Sequence, residues 1–266
     1  MQEILAITLA SMQQDMNRMD RVALNLANVS TPGYKREVVA MRPFVDAMSD
    51  VSSAENLNGG VSSGATSSER SQASGAMQVL FDTRPGTLKL TGEPLDLALA
   101  GDGFFEISTD NGLAYTRQGN FQVDARGRLV TAQGHPVMGK NGEIYLTTPT
   151  PVVDSSGNVT EPNATTGPSA VAPGTAIAQI KVVHFDDAKT LQRLGDGLIA
   201  PGAGMTVVSE TDAQIRQGAL ENTNVSSLQE MVQMMQTMRH FESMQKITQG
   251  YDDMVGTAIR KLGDLS

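Results

Sequence analysis

Residues 227–266 read SLQEMVQMMQTMRHFESMQKITQGYDDMVGTAIRKLGDLS, and this stretch decides the architecture. Ser227–Leu228–Gln229–Glu230 fits a capping box, in which the Ser hydroxyl and the Glu carboxylate satisfy orphan backbone N–H groups at a helix start. An apolar line then runs through Leu228, Met231, Met235, Met238, Phe241, Met244, Ile247, Tyr251, Val255, Ala258, Leu262 and Leu265. Every gap is three or four residues, so the spacing predicts one apolar helix face over roughly ten turns. A helix of that length needs a second helix to cover it.

The other chain end supplies one. Leu5, Leu9, Met12, Met16, Met19, Ala23 and Leu26 alternate gaps of four and three, the rhythm of a coiled-coil seam, and Ile4 and Val22 widen it. Thr31–Pro32–Gly33 ends this helix, because proline disfavours helical geometry at the residue before it. Punctuation divides the rest. All 11 prolines lie between Pro32 and Pro201, and after Gly218 the only glycines are Gly250, Gly256 and Gly263. Both residues destabilise helix interiors, so the ends read as helices and the middle does not.

The middle has β texture. Leu95, Leu97 and Leu99 alternate with Asp96, Ala98 and Ala100. Phe104–Ser108 and Leu113–Arg117 flank the turn Asp110–Asn111–Gly112, while Phe121–Val123 and Arg128–Thr131 flank Asp124–Gly127. Glu143–Thr147 follows Asn141–Gly142, and Ile177–Phe185 reads as the longest strand. Residues 49–76, with nine Ser and four Gly, read as an irregular linker. The expected fold is therefore α+β, with N- and C-terminal helices forming a coiled-coil-like assembly region around a central, mainly antiparallel β domain. Its divisions are an assembly helix over 1–31, a connecting segment over 32–76, the β domain over 77–218 and a second assembly helix over 219–266.

Composition bounds the function. The 266 residues carry 20 Lys+Arg against 29 Asp+Glu, a formal charge of −9, which excludes a role in coating nucleic acid. The excess sits on residues 49–225, with 11 basic and 19 acidic side chains, while both ends are nearly neutral and suit packing among many copies. There is no cysteine, and the three histidines at 135, 184 and 240 lie far apart, so neither thiol chemistry nor a zinc motif is expected. Gly101–Asp102–Gly103–Phe104–Phe105 lacks the third glycine and lysine of a phosphate loop and reads as a tight turn. Asp186–Asp187 beside His184 reads as a solvated strand end, and His240 as an exposed or interface residue. No catalytic, cofactor or metal site is expected, and no run is long and apolar enough for membrane insertion. Ten of the 15 methionines fall in the two end segments, where flexible side chains suit packing in several non-identical neighbourhoods.

Three motifs carry a resemblance. Asn25–Leu26–Ala27–Asn28–Val29–Ser30–Thr31–Pro32–Gly33–Tyr34–Lys35–Arg36 resembles the N-terminal signature of the bacterial flagellar rod and hook proteins. Pro94–Phe105, continued by Tyr115–Phe121, is similar to the family's central motif, and Leu220–Val225 with Glu230–Met231–Val232 to its C-terminal one. Within the family, Arg239–His240–Phe241–Glu242 is closer to the proximal rod members than to the distal rod or the larger hook subunits. The resemblance implies a structural subunit assembling with copies of itself and other rod proteins, delivered by the flagellar export apparatus without a cleaved signal peptide. It also implies a place in the basal body within the periplasm. A secreted β-domain adhesin or enzyme on a coiled-coil stalk is the alternative from another class. The expected assembly interface comprises Leu5, Leu9, Met12, Met16, Met19, Leu26, Asn28, Thr31, Gly33, Tyr34, Leu228, Met231, Met235, Met238, Phe241 and Met244.

Overall fold

Both chain ends fold as helices and the centre as short antiparallel strands in a computed structural model that describes residues 2–40, 78–161, 176–186, 191–202, 204–209 and 213–263. The linker expected at 49–76 lies outside the described residues, as does Leu265. Two compact units emerge from packing.

The first unit contains Met1–Leu26, Glu37–Leu80 and Ser227–Ser266. Helix α1 spans Gln2–Ala27 and helix α2 spans Ser227–Gly263, starting where the capping signal falls. Two side-chain ties set their relation. Asn25 Nδ2 donates to Glu230 Oε2 at 3.2 Å, and His240 Nδ1 meets Asp15 Oδ2 at 2.6 Å. The ties are ten residues apart on each helix and run in opposite directions, so the pair is antiparallel and in step over about 15 Å.

The second unit contains Ala27–Arg36 and Phe81–Ser226. Its centre is a six-stranded, wholly antiparallel sheet in the order Arg193–Gly195, Leu198–Ile199, Gly112–Thr116, Phe104–Thr109, Val182–Phe185, Met205–Val207. The expected hairpin across Asp110–Asn111–Gly112 forms its middle, with Phe105 opposite Thr116 and Thr109 opposite Gly112. Strand alternation sends Phe105 and Ile107 into one apolar cluster with Leu97, Leu99, Ile144 and Ile180. The opposite face buries Phe104, Tyr115, Val183, Phe185 and Ile199, together with Phe81. Aromatic edges lock both layers, with Phe105 on Phe121 at 5.2 Å and Tyr115 on Phe185 at 5.0 Å.

Two strand expectations are corrected. Ile177–Phe185 is not one strand but two, Ala176–Gln179 and Val182–Phe185. The break falls at Ile180, whose N–H bonds the Gly157 carbonyl at 2.9 Å while the residue bridges to Gly139. Of Glu143–Thr147 only Glu143 lies in a strand, the two-residue Gly142–Glu143 opposite Met138–Gly139. Among the described residues no helix is long and apolar enough to cross a membrane.

Candidate assembly surface and a buried charged hub

Gly33, Tyr34 and Lys35 follow the turn that ends α1, and all three are buried within the second unit. Gly33 has φ +68°, and a Cβ there would meet the Arg117 carbonyl carbon at 2.4 Å, so only glycine fits. Its N–H donates to the Glu221 carbonyl at 2.7 Å. Tyr34 lies beneath the Arg193 guanidinium, 4.2 Å from its ring centroid, and Arg193 Nη2 donates to the Lys35 carbonyl at 3.0 Å.

Beside it lies a charged hub. Glu221 receives Lys35 Nζ on Oε1 at 2.8 Å and Arg117 Nε on Oε2 at 2.6 Å. The three side chains are 1–4% exposed. Oε1 also accepts the Gly86 N–H at 2.7 Å, and Lys35 reaches the Arg84 carbonyl at 2.9 Å. Arg117 turns its remaining nitrogens to the carbonyls of Gly103 at 2.5 Å and Gly101 at 2.6 Å. The Gly-Asp-Gly turn thus serves as a carbonyl cradle for a buried guanidinium. Asn224 completes the joint by accepting the Arg36 N–H at 2.8 Å and donating to the Asp82 carbonyl at 2.8 Å. Burial pulls the Lys35 ammonium below its ordinary value, and the Glu221 carboxylate pulls it back up. Two cations against one anion, with backbone acceptors on every side, form a closed polar cluster that holds together segments 33–36, 81–86, 101–117 and 221–224.

The helix pair has the opposite character. Its covered line on α1 is Thr8, Asp15, Val22 and Asn25, and on α2 it includes Glu230 and Thr237, with Met234, Phe241, Met244, Thr248 and Tyr251 half-buried. Apolar side chains point outward instead. Leu9 and Met16 are 67% and 49% exposed, and Leu228, Met231, Met235 and Met238 are 48–71% exposed. The Leu9–Met16 line sits one residue, about 100°, round α1 from Thr8–Asp15–Val22. On α2 the expected single stripe is in fact two. The steps from Met235 through Met238, Phe241 and Met244 are all of three residues or fewer than a full turn, and each rotates the line by about 60°. Leu228–Met238 therefore faces outward while Phe241 and Met244 reach the covered side.

The remaining expected residues sort accordingly. Met12, Met19 and Leu26 are half-buried at the edge of the pair, and the Leu5 side chain lies outside the described residues. Asn28 Oδ1 accepts the Thr31 hydroxyl at 3.1 Å in the turn after α1. His184 and Asp186 stand 3.8 Å apart at a largely exposed strand end. Lys35, Arg117, Glu221, Asn25 and Glu230 were not among the expected interface residues. The available signal was a charged or amide side chain embedded in each motif.

The geometry defines an α+β protein with a β unit closed by a buried ion cluster and two paired terminal helices carrying apolar rows on their outer surface. Residues 98–182 match the family described as flagellar hook protein FlgE/F/G D1 domain, and residues 216–261 match the flagellar basal body rod FlgEFG protein C-terminal family. The chain is 30% identical over 267 residues to the flagellar basal-body rod protein FlgF of Salmonella typhimurium (strain LT2), covering 97% of each. It is 30% identical to the Escherichia coli (strain K12) FlgF over 97% of each chain, and 29% identical to the rod protein FlgG of Bacillus subtilis (strain 168) over 93% and 94%. The chain belongs to the bacterial flagellar basal-body rod and hook protein family.

Proposed function

We propose that this chain is a structural subunit of the flagellar basal-body rod, in the proximal position, assembling with copies of itself and with other rod proteins. The observation that carries the reading is the inverted helix pair, with polar groups covered and heptad-spaced Leu and Met exposed. Each such side chain gains about 1.5–3 kcal/mol when fully buried, so rows of them favour a coiled-coil-like packing against neighbouring helices. Residues 28–36 and 221–224 close the polar cluster of the β unit. The subunit reaches the periplasm through the flagellar export apparatus and transmits torque through the contacts its helices make.

Met231→Asp/Met235→Asp tests this directly. Charges in an apolar contact oppose burial, so the variant is expected to abolish motility complementation while the purified chain melts as the parent does. Normal motility from the variant would refute the assignment. A position elsewhere in the rod is the second reading, because FlgG-type relatives match at nearly the same identity. The segment of rod missing from basal bodies of a deletion strain separates the two positions.

A further inference from the structure

Asn25 is 1% exposed and Glu230 is fully buried, in a seam where an apolar pair would be expected. The Asn25 amide is used on both sides. Its Nδ2 donates to the Glu37 carbonyl at 2.9 Å and to Glu230 Oε2 at 3.2 Å, and its Oδ1 accepts the Glu37 N–H at 2.9 Å. One face of the amide is thus fixed by backbone just beyond α1, and the other reads a single position on α2.

Apart from the Asp15–His240 contact, the rest of the seam reads position weakly. Met12, Met19 and Leu26 are spaced at seven residues, as are Met234 and Phe241, and Thr237 and Met244. Sliding α2 by one heptad, about 10 Å, exchanges Met234 for Phe241, another large apolar side chain, and changes bulk mainly where Thr237 and Met244 trade places. Methionine accommodates the exchange readily, because its unbranched chain fills irregular gaps. The slide is not neutral at Asn25, which would then face Thr237, while the Glu230 carboxylate would lose its amide.

We infer that Asn25, through Glu230, sets the register of the antiparallel helix pair and thereby fixes which residues form the outward apolar row. It is a specificity-determining residue, trading some pairing strength for one alignment, as a single buried amide does in a coiled coil. The inference concerns pairing within one chain and stands apart from whether the outward row contacts other rod subunits.

The test is thiol cross-linking of the full chain, which contains no cysteine of its own. Asp15→Cys/His240→Cys, joined by a short bismaleimide, reports the observed register. Asp15→Cys/Ile247→Cys and Asp15→Cys/Gln233→Cys report slips of one heptad either way. Because the reporters remove the Asp15–His240 contact, they isolate the contribution of Asn25. With Asn25 and Glu230 intact, the 15/240 product is expected to dominate. In Asn25→Leu/Glu230→Leu it is expected to fall by about half or more, with the slipped products rising and helicity retained, since the seam is then apolar throughout. Glu230→Gln keeps an acceptor for Asn25 and is expected to restore the 15/240 pattern. Undiminished 15/240 dominance in the double leucine variant would overturn the inference. So would loss of helicity in that variant, which would make the pair a stability element, or scattered registers in Glu230→Gln.

Discussion

The β unit and the helix pair handle polarity in opposite ways. In the β unit, charge is buried only where it is answered: Glu221 meets both Lys35 and Arg117, and backbone carbonyls absorb the remaining donors. Its buried apolar residues fill two layers on either side of one sheet, although Leu90, Tyr145 and Leu194 stay exposed. In the helix pair, amide and carboxylate groups occupy the covered line while Leu9, Met16, Leu228, Met231, Met235 and Met238 stand exposed. A region whose buried charges meet within one chain draws its closure from that chain alone. A region that places polar ties on its contact line leaves apolar rows open to solvent within the single chain.

The sharpest way to break this contrast is Glu221→Ala. It leaves two buried cations facing one another without an anion, and the loss for such a broken pair is about 3–5 kcal/mol. Urea unfolding of the full chain is expected to show that loss, whereas a value near zero would mean the hub is not what closes the β unit. Gly33→Val follows at about 1–3 kcal/mol, from a strained backbone pressed against the Arg117 carbonyl. Its thermal midpoint should fall well below that of Ala23→Val, which sits on the exposed side of α1.

The smallest effect is confined to alkaline pH. Burial, aided by neighbouring Glu106, pushes the Tyr115 phenol from 10 up to about 12. The folded chain therefore holds a proton between those values that the unfolded chain has released. Stability contributed by the neutral phenol is complete below pH 10 and declines as pH rises to about 12. Tyr115→Phe, which loses the hydroxyl's 2.9 Å bond to Met205 Sδ, is expected to flatten that decline in denaturant midpoints taken across the window. A decline as steep as the parent's would show that other groups govern it.

Much of this was legible in the sequence where the signal is local. The helical ends follow from the absence of proline and the sparseness of glycine, and the 104–116 hairpin from Asp110–Asn111–Gly112, because these residues act on their own backbone. Two features were not legible. The hub joins positions 35, 117 and 221, and no periodicity connects residues so far apart. The face each helix covers within the chain is not marked by hydrophobic spacing, because Thr8, Asp15, Asn25 and Thr237 take the covered line. Counting apolar residues identifies what wants to be buried, not which partner does the burying.

The hub also bears on the order in which the chain can fold. Lys35 and Glu221 close a loop of 186 intervening steps, and Arg117 and Glu221 one of 104. Contacts of such separation form late, since the entropy of closing the loop precedes any return from the contact. A chain emerging from its N-terminus carries Lys35 and Arg117 without their counter-ion until position 221 arrives. The β unit is thus kept from completing early, and its final closure coincides with the arrival of the segment that leads directly into α2.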